Sequence, residues 1–170
     1  MEDIADKMST LPTPRSIFDY SVVDVNGNQV TLDQYKGKVC LIVNIASNDD
    51  TTLGKFKQLD TLNRKYEDHD FAILLFPCSQ FGARNSMQEI MNMIEREHLR
   101  VGELFHEIDV NGSKTSELYK YLKGEKPGNM GGFINCNFTI FVIDRMGYPM
   151  ERLTPNVHPY VLEDTIEKFF

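Results

Sequence analysis

Tryptophan is missing from this 170-residue chain, so no site in it can draw on an indole N–H. Cysteine is scarce, and Cys40, Cys78 and Cys136 form neither a C-x-x-C pair nor a metal-ligand spacing. That excludes a zinc ribbon and a dithiol redox motif, and it makes reduced thiols the expected state rather than a disulfide framework. His69, His98, His106 and His158 contain no H-x-x-x-H pair, so no zinc site is expected. No apolar run approaches the ~20 residues of a membrane-spanning helix. The opening Met1-Glu2-Asp3-Ile4-Ala5-Asp6-Lys7 lacks the basic and apolar regions of a secretory signal or transit peptide, which points to a cytosolic protein. Positive charge is in the minority, 18 Lys and Arg against 25 Asp and Glu, for a formal net charge of -7. Such a surface repels phosphate backbones and anionic lipids, so nucleic acid is not an expected partner.

What is present is enough for one globular domain. A chain of this length with 41% hydrophobic residues can bury roughly 70% of the surface its unfolded form exposes. Residues 1–15 mix charge with Pro12 and Pro14 and show no apolar period, so they read as a flexible N-terminal tail; residues 16–170 read as the domain. From Ile17 the apolar residues alternate to Leu32 around Asn26-Gly27, a pattern that predicts a hairpin with both turn residues at positive φ. Val39–Ile45 is apolar except for Asn44, as in a strand covered on both faces. Leu53, Phe56, Leu59, Leu62 and Tyr66 follow at helical spacing, with Thr51 or Thr52 near the helix start. A second buried strand is predicted over Phe71–Phe76, stopped by Pro77, and the pair makes a right-handed β-α-β unit.

Further helices are predicted over about Ser86–Glu97 and Ser116–Lys123, and Gly124–Gly132 reads as a glycine-rich connector. Phe138–Ile143 and Met150–Leu153 form a second predicted hairpin around Asp144–Gly147. A closing helix runs from Pro159, at its first position, to Phe170. The order implies an α/β protein of thioredoxin-like layout: a central mixed β-sheet flanked by helices, with an N-terminal β-hairpin.

Chemistry is expected where the first buried strand turns into its helix, because Asp49 and Asp50 stand there. Carboxylates at a helix N-terminus accept unpaired N–H groups and complement the dipole, for about 0.3–1 kcal/mol each. A two-carboxylate acid/base or metal site is a weaker reading, since neighbouring side chains diverge. Cys40, within a buried strand, reads as inert packing. Asn137-Phe138-Thr139 and Asn111-Gly112-Ser113 match the glycosylation sequon, but no secretory signal accompanies them. Gly37-Lys38 lacks the rest of a phosphate-binding loop.

Four segments carry a resemblance: Gly37-Lys38-Val39-Cys40-Leu41-Ile42-Val43-Asn44-Ile45-Ala46-Ser47, Phe76-Pro77-Cys78-Ser79-Gln80-Phe81-Gly82, Ile108-Asp109-Val110-Asn111-Gly112, and Asn137-Phe138-Thr139 with Asp144-Arg145. In order and spacing the chain resembles the glutathione peroxidase family from about Ser16 to its C-terminus. The resemblance implies reduction of hydrogen peroxide or lipid hydroperoxides, an oxidative-stress activity. It needs no bound cofactor, with glutathione or thioredoxin as the reductant and hence the partner. It also implies a tetrad of cysteine or selenocysteine, glutamine, tryptophan and asparagine. Matched by position, the glutamine is Gln80 and the asparagine Asn137. Asp49 takes the place of the nucleophile, Cys136 that of the tryptophan, and Asp50 that of the glycine after the nucleophile.

Those departures decide the expectation. Cleavage of an O–O bond needs a soft thiolate or selenolate, and a carboxylate cannot supply it. The stretch Ala83-Arg84-Asn85-Ser86 is shorter than its counterpart in the family, and Ile94 stands where thioredoxin-using members keep a resolving cysteine. Cys78 belongs to a motif whose cysteine is structural in the family. Asp49 then reads either as a helix cap or as a fixed anion imitating the thiolate. Cys136 reads either as a small filler of the tryptophan's space or as a relocated nucleophile, which a nearby carboxylate would oppose by raising the thiol's pKa. The short connector Gly124–Gly132 resembles the monomeric branch of the family with open sites. The expected protein is a cytosolic monomer with little peroxidase activity, acting as a binding or regulatory module. The alternative is a thiol peroxidase using Cys136.

Overall fold

The computed structural model describes residues 15–48, 50–82 and 86–170. The tail reading for residues 1–15 therefore lies outside the described residues except for Arg15, and so do Asp49 and residues 83–85. Among the described residues seven strands, β1 (Ser21–Val23), β2 (Gln29–Thr31), β3 (Val39–Ile45), β4 (Phe71–Pro77), β5 (Glu103–Leu104), β6 (Ile140–Ile143) and β7 (Pro149–Leu153), are joined by four α-helices: α1 (Thr52–Lys65), α2 (Met87–Arg96), α3 (Glu117–Glu125) and α4 (Pro159–Glu167). Strands β1 and β2 form a separate antiparallel hairpin, while the main sheet has the order β5-β4-β3-β6-β7. Within it β3-β4 and β4-β5 are parallel, and β3-β6 and β6-β7 antiparallel.

The continuous apolar runs of β3 and β4 follow from this position, because both faces of the sheet centre are covered. Even-numbered Cys40, Ile42, Leu74 and Phe76, with Phe141 and Ile143, face α3 through Leu118, Tyr119 and Leu122. Odd-numbered Leu41, Val43, Ile45, Ile73 and Leu75, with Val142, face α1 through Phe56, Leu59 and Leu62 and α4 through Leu162 and Ile166. Each such buried side chain contributes roughly 1.5–3 kcal/mol. A slip of one residue in β3 would exchange its two sets of partners, so the sheet register is fixed by both layers together.

Local chemistry moves several boundaries away from the periodic pattern. Ile17–Asp19 is a short 3-10 turn instead of the start of a strand, because Ser16 and Asp19 cap each other reciprocally. In the first hairpin only Gly27 takes positive φ. The Asp24 carboxylate accepts from the backbone N–H groups of Asn26 and Asn28, which makes a side-chain-supported turn and leaves Asn26 with ordinary φ. Strand β4 runs through Pro77, since the ladder to Ile45 O uses the N–H of Cys78. Helix α3 continues past Gly124 to Glu125, shortening the connector. The last helix stops at Glu167, and β6 begins only at Ile140, two residues after the positive-φ residue Phe138.

Candidate functional site

The described site lies where β3 and β4 end and the chain enters β6. Asn44, the one polar residue in the run Val39–Ile45, is fully buried. Its Nδ2 donates to Cys136 O at 3.1 Å, and its backbone O accepts from Phe138 N at 2.6 Å. Asn137 is thus held between two residues bonded to Asn44, and it too is buried. Phe138 takes φ 61°, an uncommon conformation for a bulky side chain. The ring is fixed by edge-on packing against Phe56, with centroids 6.0 Å apart.

Upstream, a second buried carboxamide holds the same segment. Asn111 Nδ2 donates to Ile134 O at 2.6 Å, and Asn111 Oδ1 accepts from Ile134 N at 2.9 Å, reproducing with a side chain both bonds of a strand pair. Lys123 Nζ donates to Val110 O at 2.7 Å and to Asn111 Oδ1 at 3.2 Å; its burial lowers the pKa of that ammonium. Gln80 completes the brace. Its Nε2 donates to Asn111 O at 2.8 Å, and its Oε1 accepts from Val110 N at 2.8 Å and Asn111 N at 3.0 Å.

Of the four residues picked out by sequence, Cys136 and Asn137 come together on Asn44. Gln80 reaches their segment only through Asn111 and Ile134. Asp49 lies outside the described residues. Its neighbour Asp50 is exposed in a turn, and α1 begins after Thr51, with no side-chain cap bond and no acidic residue in its first turn. The helix start is tied down instead by Thr52 Oγ1 donating to Ala46 O at 3.1 Å. Ser47 Oγ donates to Glu89 on α2 at 3.4 Å, and α2 is capped by Ser86. A hollow of about 340 Å³ lies between the end of β3 and α2, lined by Ser47, Asn48, Glu89, Asn92, Met93 and Arg96.

The three thiols differ by burial. Cys40 and Cys78 are buried, and Cys136 is partly exposed. Burial pushes the Cys40 thiol up to about 12, and it raises that of Cys78 as well. Cys136 Sγ lies 3.3 Å from Asn135 Oδ1 and 3.8 Å from Thr139 Oγ1. Asn135 and Thr139 line a second hollow of about 320 Å³, together with Met130, Phe133, Arg152 and Leu153. At Ile94 the α2 side chain packs partly buried against the core. Both sequon asparagines, Asn111 and Asn137, are buried in the folded chain. Among the described residues no three His, Cys, Asp or Glu side chains gather as a metal site, and no helix is long and apolar enough to cross a membrane.

Sequence reasoning missed Lys123 and Arg152, and it named Asn111 only within a motif and a sequon and Asn44 chiefly as an interruption, without a role for either. A lone carboxamide in an otherwise apolar two-sided strand was the available signal, because such a group is buried only with partners. Asn111 sat in an Asn-Gly pair that reads equally well as a surface turn.

Residues 17–123 match the model of the glutathione peroxidase family. A "Probable phospholipid hydroperoxide glutathione peroxidase" of Nicotiana sylvestris is 40% identical over 157 residues, covering 91% of this chain and 93% of that protein. Similar proteins of Arabidopsis thaliana include one named as mitochondrial and one as chloroplastic, each 38% identical. Among solved structures, T. cruzi GPX1 superposes with a TM-score of 0.77 at 34% identity, covering 91% of this chain and 96% of that one. A thiol:disulfide interchange protein of the thioredoxin family from Chlorobium tepidum, at 13% identity and a TM-score of 0.65, shares the fold.

Proposed function

Because this chain belongs to the glutathione peroxidase family, we propose that it keeps the scaffold of that family without conventional peroxide turnover and acts as a non-catalytic binding or regulatory module. The observation that carries this reading is Asp49, an oxygen anion at the position where the family places its attacking sulfur or selenium. Two further features support it. Cys40 and Cys78 are buried thiols, so neither replaces the missing nucleophile from the described core. Ile94 packs against apolar neighbours at the place of the resolving cysteine. In this reading Asp49 is a permanent negative charge standing in for the thiolate. The protein works in the cytosol as a monomer, without a bound cofactor.

The test is turnover by the purified, unmodified chain, with hydrogen peroxide and with a phospholipid hydroperoxide, using glutathione or thioredoxin as reductant. The expectation is no reductant-dependent loss of peroxide. Rates of order 1–10³ s⁻¹, the range of working enzymes, overturn it. Asp49→Asn separates a functional anion from a bystander: if ligand or partner binding is unchanged in this variant, the charge at 49 has no role.

A second reading rests on Cys136 being the partly exposed thiol of the three. Its thiolate would attack the hydroperoxide, giving a sulfenic acid on Cys136 and releasing the alcohol. A thiol reductant would then condense with the sulfenic acid to a mixed disulfide and water, and a second thiol would release the free cysteine. Trapping of sulfenic acid on Cys136, together with loss of activity in Cys136→Ser, is the outcome this reading needs.

A further inference from the structure

Three buried polar atoms of the described residues have no hydrogen-bonding partner in the protein: Asn44 Oδ1, Asn137 Oδ1 and the hydroxyl of Tyr119. Asn44 and Asn137 lie at the end of β3, and the Tyr119 ring packs on the strands to either side of it. The ring of Tyr119, on α3, stands edge-on to Phe76 at 6.2 Å and to Phe141 at 6.0 Å. In the sheet register Phe76 is the neighbour of Asn44, and Phe141 that of Ile42. All four residues are on even-numbered or matching positions of one face, so the Tyr119 ring covers β3 at Ile42 and Asn44. Asn137 is brought to the same strand end by the bonds that its two neighbours make with Asn44.

The chemistry of the three groups is complementary to a single small molecule. Two are carboxamide oxygens, which only accept, and the third is a phenol, which can donate. Two acceptors and one donor match one water that gives both its protons and receives one. Two neutral oxygens and a phenol offer too little charge for a bare cation. We propose that an internal water binds between Tyr119, Asn44 and Asn137, so that Tyr119 and Asn44 are positioning residues for the segment carrying Cys136 and Asn137. The connection runs from α3, through the water, to the Asn44 carboxamide and on to the carbonyl of Cys136. It holds whether or not the protein turns over peroxide.

Tyr119→Phe tests this by sign. Removing a hydroxyl that has no partner leaves Tm unchanged or raises it, whereas removing one that bonds a water leaves that water a donor short. The expected result is a fall in Tm of about 2–4 °C, with an unchanged or raised Tm overturning the proposal. The second readout is alkylation of Cys136 by iodoacetamide, followed by mass mapping as a function of pH. Tyr119→Phe and Asn44→Leu are expected to change its rate at least about two-fold and to move its pH profile, with Tyr121→Phe as the unaffected control. Equal rates in all the proteins overturn the positioning role. Should Asn44→Leu not fold, Tyr119→Phe, which keeps the ring, decides alone. A high-resolution crystal structure with no water between the three atoms, or with Tyr119 bonded directly to Asn44, also overturns it.

Discussion

The Gln80 side chain grips the backbone of Asn111 from both ends, donating to its carbonyl at 2.8 Å and accepting from its N–H at 3.0 Å. A residue that the family resemblance assigns to a reactive centre is here spent on bracing a loop. That loop in turn presents the Asn111 carboxamide to Ile134, two residues before Cys136. Gln80, Asn111 and Ile134 therefore behave as one hydrogen-bonded unit, in which the exposed member controls the placement of the buried one.

The energetics of that unit are expected to be unequal. Asn111→Ala leaves the N–H and carbonyl of Ile134 unpaired in a buried setting and removes an acceptor of Lys123, a loss of about 2–4 kcal/mol. Gln80 is exposed, so water replaces part of what Gln80→Ala removes, and a loss of about 1 kcal/mol is expected. Urea unfolding of both single variants and the double variant checks this. Because the residues share bonds, the double variant should lose less than the sum of the two, by about 0.5–2 kcal/mol. Strict additivity would mean that the two residues act independently.

Arg152 plays the same bracing role for the stretch just before Ile134. The two hydrogens of Nη1 are shared among the carbonyls of Lys126, Pro127 and Gly132, and Nη2 donates to that of Phe133 at 2.7 Å. The group also lies 5.6 Å over the ring of Phe141, and burial lowers its pKa from the ordinary arginine value. A planar fork can satisfy four carbonyls; an ammonium on a shorter stem cannot. Arg152→Lys should therefore speed amide hydrogen exchange across residues 128–134 while leaving β3 and β4 protected. Uniform protection in the variant would show that the segment holds its shape without the fork.

Four strands of the sheet and its two covered faces were legible because β3 and β4 are almost wholly apolar and α1 repeats at helical spacing, whereas the two-residue edge strand β5 is too short to show a period. Those patterns record the burial of apolar surface, the largest favourable contribution to folding. The brace around residues 134–138 was not legible. It depends on carboxamides meeting backbone groups up to 92 residues away, as Asn44 meets Cys136, and no local period encodes such a meeting. Similarly, Ser16 with Asp19, and Asp24 with its turn, overrode the alternation of Ile17–Leu32 through side-chain bonds that a hydrophobic pattern does not register. Of the site residues, Gln80 and Asn137 were found through the family motif, but only the folded structure reveals that the Gln80 amide is already occupied.

A close backbone approach gives a stricter test of the fold. Gly102 has φ +119°, and a Cβ there would lie 2.4 Å from Ile73 O, on a central strand. Both the left-handed conformation and the contact oppose any side chain. Gly102→Ala should cost about 2–4 kcal/mol and should loosen β5, which pairs with β4 just beyond this point. Denaturant unfolding measures the first effect, and hydrogen exchange at Glu103 and Leu104 the second. A variant as stable as the parent would contradict this packing of residue 102.

The alkaline limit of stability should be set first by buried thiols. Burial raises the Cys40 thiol from its ordinary value near 9 to about 12, so the folded chain keeps a proton that the unfolded chain releases. Stability contributed in this way is complete below pH 9 and is lost as pH rises from about 9 toward 12, because the unfolded state then binds fewer protons. Between pH 9 and 10 the loss from Cys40 alone should be about 1 kcal/mol. Tyr35 and Tyr119 are also raised by burial, but from a value near 10, so they act mainly above this window. Cys78 adds in the same direction. In Cys40→Ala the fall in unfolding free energy between pH 9 and 10 should accordingly be smaller by about 1 kcal/mol than in the parent, whatever the variant's baseline. Identical slopes in the two proteins would place the proton elsewhere, and Cys78→Ala would then be the variant to compare.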